Sequence, residues 1–214
     1  MVSPAIAERP SSESAASAGH PALESGDRME RAEFERRYSR HPEIKLAELI
    51  DGVVYVASPV RIVEHADPHG ILSAVFGGYL LANRGVRMAS NGTWRCDDEN
   101  EVQPDVLLRY LKSRGGTSWI DSDHYLRGVP ELCAEITASS FNRDLYVKKE
   151  LYRRLGVREY LTWQTEDGRI DWWRLEAGEY LAITPDEAGL LHSSVFEGLA
   201  LNPAELLALA AETD

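Results

Sequence analysis

The segment from residue 130 to residue 163 constrains the fold more than any other part of the chain. Residues 130–137 have the sequence PELCAEIT, in which alternate positions are apolar, and this alternation predicts a β-strand. Leu132, Ala134 and Ile136 then face one side of the strand, and Glu135 faces the other. An acidic residue is therefore expected inside a core strand.

A helix is predicted directly after this strand. Asn142 is a residue type that favours a helix N-terminus, and Gly156 is placed to end the helix. Helical spacing puts Lys148 in the middle of the apolar stripe. The local pattern favours a structural role, in which the lysine stem lies along the core or the ammonium pairs with Asp144. The functional alternative is a lysine directed at the acid of the preceding strand.

Residues 159–163, EYLTW, follow the glycine at once and have the composition of a second strand. A strand, a helix and a strand joined by short connections form a crossover unit, which places the two strands parallel to each other. Functional groups are expected near the ends of these strands.

The length and charge of the whole chain bound the classes of protein that it can be. With 214 residues it can bury a sizeable core, and we expect a disordered tail over residues 1–27 and one domain over residues 28–214. The net charge of −12 is unfavourable for a protein that binds nucleic acid without specificity. No signal peptide is recognised and the apolar run at residues 71–82 is too short to span a bilayer, so a cytoplasmic protein that binds no membrane is expected.

The cysteines and two of the histidines do not predict a metal site. Cys96 and Cys133 have neither the spacing of zinc ligands nor the number of a disulfide framework, and Cys133 is expected as a small buried apolar residue. His65 and His69 are four residues apart, but Pro68 argues against one regular helix across both. No metal pair is therefore predicted here.

Two further acids lie at the boundaries of predicted strands. Residues 44–57 form a hairpin around Asp51-Gly52, which suits a type I′ turn, and Glu48 on its first strand is either an edge-strand charge or a carboxylate turned toward a site. The local pattern favours the edge charge. Asp105 begins the apolar strand of residues 106–108, where a structural acid would cap a turn.

Asp105, Glu135 and Lys148 have a chemistry in common that their separate structural interpretations do not explain. Two carboxylates can hold Mg²⁺ or Mn²⁺, which prefer oxygen ligands and leave positions for water and a substrate phosphate. A nearby ammonium can stabilise the negative charge of the transition state. These parts suffice for metal-assisted hydrolysis of phosphodiester bonds.

Four motifs occur in the order QPDVLL at residues 103–108, PELCAEI at 130–136, the spacing of Asp144, Lys148 and Tyr152, and GVREYL at 156–161. With these motifs the sequence resembles the Uma-type restriction endonuclease family of the PD-(D/E)XK nuclease superfamily. The resemblance extends over residues 43–209. As an ordered set these motifs are more specific than any one of them alone.

The resemblance implies an α/β fold, a restriction-endonuclease-like mixed β-sheet flanked by helices, with an added N-terminal β-hairpin. It implies catalytic roles for Asp105, Glu135 and Lys148, metal binding by Asp105, Glu135 and Glu48, and accessory roles for Gln103, His69 and Tyr152. The wider superfamily keeps its lysine two residues after the second acid, where this chain has Thr137, so Lys148 would have to reach the site from the helix.

Three hypotheses follow for the function. The first is an Mg²⁺-dependent endodeoxyribonuclease that cleaves DNA, for which a homodimer is expected by analogy with enzymes that cut both strands. The second is a catalytically inactive nuclease fold that binds a nucleic acid or a protein. The third is purely structural, with Asp105 as a cap and Glu135 paired with Lys148.

Overall fold

The computed structural model describes residues 21–138 and 143–212. The helices are α1 (Arg31–Tyr38), α2 (Asp67–Ala82), α3 (Lys149–Leu155) and α4 (Pro203–Ala210). The strands are β1 (Ala47–Ile50), β2 (Val53–Val56), β3 (Val86–Ser90), β4 (Trp94–Arg95), β5 (Glu101–Val102), β6 (Val106–Tyr110), β7 (Trp119–Ile120), β8 (Leu126–Arg127), β9 (Leu132–Thr137), β10 (Glu159–Gln164), β11 (Arg169–Glu176), β12 (Glu179–Ala182), β13 (Leu191–His192) and β14 (Ala200–Leu201). Two π-helical turns, Ile62–Ala66 and Arg143–Lys148, precede α2 and α3.

The main sheet has the strand order β12-β11-β10-β9-β6-β3. Its strands β9 and β10 are parallel, whereas its other neighbouring strands are antiparallel. The predicted crossover unit is therefore confirmed as β9, α3 and β10. Gly156 ends α3 with a φ of 85°, a left-handed conformation that glycine adopts without a steric penalty. Asn142, predicted near the start of this helix, lies outside the described residues.

The second sheet has the order β2-β1-β5-β4-β8-β7 and contains the N-terminal hairpin. Strands β1 and β2 pair antiparallel. Asp51 and Gly52 turn between them with φ angles of 49° and 70°, and the positive sign of both is what a type I′ turn requires. Because β1 pairs with β5 as well as with β2, it is an inner strand of this sheet.

Strand β9 is buried on both faces, although Glu135 lies within it. Leu132, Ala134 and Ile136 belong to a core that also contains residues of α2 and α4. Cys133 faces the other way, into a core shared with α3 and the second sheet, and it is buried as predicted. Leu132 and Ile136 each contribute about 1.5–3 kcal/mol when they leave water, but a carboxylate in the same strand is unfavourable unless it finds a partner. Glu135 is the carboxylate in this strand that needs a partner.

The packed part of the chain reaches back into the predicted tail. Leu23 is buried, and the backbone N–H of Gly26 donates to the carbonyl of Val54 at 2.8 Å. Residues 1–20 of that tail lie outside the described part of the chain. Within residues 21–138 and 143–212, no helix has both the length and the apolar character that crossing a membrane would require.

Candidate active site

Asp105 and Glu135 lie where the chain passes from the second sheet to the main sheet. Residues 103–105 connect β5 to β6, and Val106 of β6 pairs with Ala134 of β9. Asp105 directly precedes Val106, and Glu135 directly follows Ala134. Their exposed fractions are 8% and 2%. The backbone N–H of Ile136 donates to Oδ2 of Asp105 at 2.7 Å. Strand pairing therefore holds both carboxylates in place.

Lys148 contacts two carboxylates at once. Its Nζ lies 2.9 Å from Oε1 of Glu48 and 3.0 Å from Oε1 of Glu135, and its side chain is only 3% exposed. A buried ion pair is held only when its geometry repays the loss of hydration. Lys148, the last residue of the π-helical turn, is thus directed at the acid of the preceding strand. The side chain of Asp144, its predicted local partner, lies outside the described residues.

Glu48 is a buried part of this site, and the prediction of an edge-strand charge is wrong. The residue is 1% exposed, and its Oε1 accepts a hydrogen bond from the backbone N–H of Gln103 at 2.8 Å. Strand β1 lies between β2 and β5, and all four of its residues are buried. The alternation of the hairpin could not show this, because it does not reveal which strand covers β1.

Tyr152 orients Glu135 from the same helix. Its hydroxyl donates to Oε1 of Glu135 at 2.7 Å, and the ring is fully buried. Burial, followed by the charge of Glu135, raises the pKa of Tyr152 well above its ordinary value. The phenol therefore keeps its proton and remains a hydrogen-bond donor.

Asp105 stays ionised although it is buried. Burial by itself raises the pKa of Asp105, but the hydrogen bond and charge of His65, the charge of Lys148 and the N–H of Ile136 outweigh it and place the pKa below its ordinary value. Nε2 of His65 lies 3.2 Å from Oδ2 of the aspartate. The site thus presents a carboxylate at neutral pH.

Both histidines of the pair lie beside Asp105. Nε2 of His69 is 2.9 Å from the backbone carbonyl of Asp105 and 3.0 Å from Oγ of Ser90. The two imidazole rings are stacked, with centroids 6.1 Å apart. As Pro68 predicted, no single regular helix carries both histidines, because His65 lies in the π-helical turn and His69 in α2, with Pro68 in the first turn of α2. His65 was not predicted as a site residue, although its four-residue spacing from His69 was the available signal.

Gln103 touches the site through its backbone rather than its side chain. Its amide Nε2 lies 3.3 Å from the carbonyl of Ala47 and 3.4 Å from the hydroxyl of Tyr38. These contacts direct the side chain toward a groove beside α1. In the structure, Gln103 therefore contacts the site through the hydrogen bond from its backbone N–H to Glu48.

The donor set suits a hard cation. Mg²⁺ is commonly bound by one or two carboxylates, with water and substrate phosphate completing its coordination, and Asp105 and Glu135 supply two neighbouring carboxyl groups. Over the described ranges, no cluster of three or more His, Cys, Asp or Glu side chains could enclose a metal ion by itself. Glu48, the third predicted ligand, is instead held to Lys148. Thr137 carries no charge, so the ammonium near these acids comes from the helix.

Comparisons with known proteins agree with this architecture. The model of the Uma2 family, described as "Putative restriction endonuclease", matches residues 31–204. A crystal structure described as "a putative nuclease belonging to DUF820 from Anabaena variabilis" is similar with a TM-score of 0.62 and 14% identity, over 82% of this chain and 97% of that one. At this identity the likeness shows the fold, and it confirms the predicted α/β class. The search of curated proteins found no match.

Proposed function

Because the chain belongs to the Uma2 family, whose model carries the description of a restriction endonuclease, we propose that it hydrolyses phosphodiester bonds of DNA with a divalent cation. The observation that supports this proposal most is the meeting of Asp105, Glu135 and Lys148 from three separate segments. The neighbouring fold described as a nuclease adds support at the level of architecture. Mg²⁺ and Mn²⁺ are the cations that the carboxylates favour.

Asp105, Glu135 and Lys148 each have a separate role in this proposal. Asp105 and Glu135 hold the cation, and the hydrogen bonds from Ile136 and Tyr152 fix their orientation. When bound, the cation supplies Lewis acidity toward the phosphate oxygens and toward the attacking water. Lys148 places a positive charge beside the carboxylates, where it can stabilise negative charge that grows on the phosphate.

The proposal is tested by cleavage of supercoiled plasmid and of single-stranded DNA with Mg²⁺ or Mn²⁺. Asp105→Asn removes one carboxylate charge without changing the size of the side chain. We expect it to lower the cleavage rate about 10³-fold or more, because a metal ligand supports several kcal/mol of transition-state stabilisation. The measurement is the initial rate of nicking at saturating metal.

Asp186→Asn is the matched control. Asp186 contacts His192 and backbone N–H groups of an exposed loop, so the same chemical change should leave the cleavage rate unaltered. Circular dichroism shows whether both variants are folded. If wild type cleaves neither substrate with either metal, and calorimetry detects no Mn²⁺ binding, the enzyme proposal fails.

Two observations favour a nuclease fold without catalysis. The ammonium of Lys148 already pairs with Glu48 and Glu135, and a pairing with Glu135 is what the purely structural hypothesis assumes. The net charge of −12 likewise gives weak attraction for a phosphate backbone. Under this alternative, wild type binds DNA or a protein partner, and neither Asp105→Asn nor the choice of metal changes that binding.

A further inference from the structure

A groove of about 700 Å³ lies between α1 and the second sheet, next to the candidate active site. This volume is within the range of small-molecule sites in proteins. Residues that line it include Glu35, Tyr38, Arg95, Glu101, Gln103 and Tyr125. Gln103 joins the groove to the site, because its side chain lines the groove while its backbone N–H bonds to Glu48.

The groove offers an aromatic surface that is held in place. The guanidinium of Arg95 lies 4.0 Å from the centroid of the Tyr125 ring, and Tyr125 remains 36% exposed. Arg95 is itself fixed by Glu35 at 2.8 Å and Asp123 at 3.0 Å. A planar ligand can therefore stack on the tyrosine without first ordering it.

Glu101 offers a hydrogen-bonding group at the inner end of this cluster. It is 4% exposed, and its Oε2 has no hydrogen-bond partner among the described residues, with Nε of Arg95 at 3.6 Å. Burial, followed by a hydrogen bond with Glu35 and the charge of that carboxyl, raises the pKa of Glu101 to about 8 against the charges of Arg95 and Arg31. The shift favours the protonated form, in which the carboxyl has both a donor and an acceptor.

We propose that this groove binds one unpaired nucleobase of the substrate, with its ring on Tyr125 and its Watson–Crick edge on Glu101. Each base carries a neighbouring donor and acceptor on that edge, which matches a carboxylic acid, and proteins read unpaired bases by stacking together with edge contacts. Arg36 lines the same groove with a side chain that is 58% exposed, where a phosphate could meet it.

This inference rests on the proposed function, because it takes the substrate to be a nucleic acid, and it adds that the substrate is single-stranded or locally unpaired. Binding through one base also agrees with the charge of −12. Duplex affinity depends mainly on basic residues that neutralise phosphates, whereas stacking on an aromatic ring needs no basic surface.

The test is fluorescence anisotropy with a short labelled single-stranded DNA and the same sequence as a duplex, in EDTA so that no cleavage occurs. We expect wild type to bind the single strand at least about tenfold more tightly than the duplex. Tyr125→Leu and Glu101→Leu should each weaken single-strand binding roughly tenfold. Glu101→Gln should retain it, because an amide also has a donor and an acceptor. Deoxyadenosine monophosphate should compete, whereas deoxyribose 5-phosphate should not.

Two further variants separate this inference from other effects. Glu131→Gln changes another buried acid whose pKa is raised by burial but which lies outside the groove lining, and it should leave binding unchanged. Asp105→Asn should abolish cleavage but not binding, so the failure of one proposal is distinguishable from the failure of the other. The inference is overturned if wild type prefers the duplex, or if folded Tyr125→Leu and Glu101→Leu bind the single strand as wild type does.

Discussion

Two clusters in the protein contain buried acidic side chains whose pKa values are shifted in opposite directions. In the site cluster, formed by Asp105, Glu135, Glu48 and Lys148, the pKa of Asp105 lies below its ordinary value. In the groove cluster, formed by Glu35, Arg95 and Glu101, the pKa of Glu101 rises to about 8. Both clusters contain a basic side chain, Lys148 in the first and Arg95 in the second, so the presence of positive charge alone does not explain the difference.

The difference lies in the groups that face each carboxyl oxygen. Asp105 receives a backbone N–H and an imidazole N–H, both of which stabilise the ionised form. Glu101 instead lies beside the carboxyl of Glu35, and Arg95 is shared among several acids. Two neighbouring carboxyls cannot both ionise easily, so one keeps a proton. The lowered pKa of Asp105 accords with the proposed cation site, and the raised pKa of Glu101 favours a group that can donate a hydrogen bond.

Removing the lysine of the site cluster should have the largest effect on stability. Lys148→Met keeps the length of the side chain but leaves Glu48 and Glu135 without the ammonium between them. We expect the free energy of unfolding to fall by about 3–5 kcal/mol, because breaking a buried ion pair leaves charge in the interior. Urea denaturation at pH 7 measures the change.

The companion variant removes the two charges as well. In the combination of Lys148→Met with Glu48→Gln and Glu135→Gln, most of the lost stability should return, because no buried carboxylate then lacks its partner. If Lys148→Met alone is as stable as wild type, the ammonium of Lys148 does not stabilise the buried carboxylates of Glu48 and Glu135.

Loss of one hydrogen bond in the site cluster should have an intermediate effect. Tyr152→Phe removes the donor to Glu135, a charge-assisted bond, and we expect a loss of about 1.5–3 kcal/mol. Tyr180→Phe is the matched control, because its hydroxyl donates at 2.8 Å to the neutral carbonyl of Val157. The same denaturation experiment compares them. Equal losses would mean that Glu135 is not ionised in the folded protein.

The groove cluster should make the stability of the protein depend on pH. The pKa of Glu101 is raised from 4.5 to about 8, so its stabilising contribution is complete below pH 4.5 and is lost as the pH rises through about 8. Over this window, wild type should lose stability relative to Glu101→Gln by at most about 1.4 kcal/mol per pH unit. Asp105, with its lowered pKa, has the opposite sign and weakens the fold as the pH falls.

Thermal unfolding of both proteins across this pH range makes the comparison. A constant difference between wild type and Glu101→Gln would show that Glu101 is already ionised in the folded state. In that case Glu35, Arg31 and Arg95 would not produce the environment described for the groove.

Local sequence patterns were sufficient for the elements that carry the site. The strand β9, the glycine that ends α3 and the parallel strand β10 follow from alternation, helical spacing and short connections, all of which act between near neighbours. The same patterns singled out Asp105, Glu135 and Lys148, because an acid in a core strand and a lysine on an apolar helix face are exceptions to an otherwise consistent arrangement.

Contacts between distant segments were decided only by the tertiary structure. The hairpin pattern alone favoured an edge charge for Glu48, because it does not show that β1 pairs with β5. The sequence likewise does not show that the π-helical turn with His65 directly precedes α2 with His69, which brings the two imidazole rings together. Residue types and periodicities determine which segments bury apolar faces. The charge of a buried acid depends instead on atoms brought within about 4 Å by packing, and such contacts cannot be read from spacing along the chain.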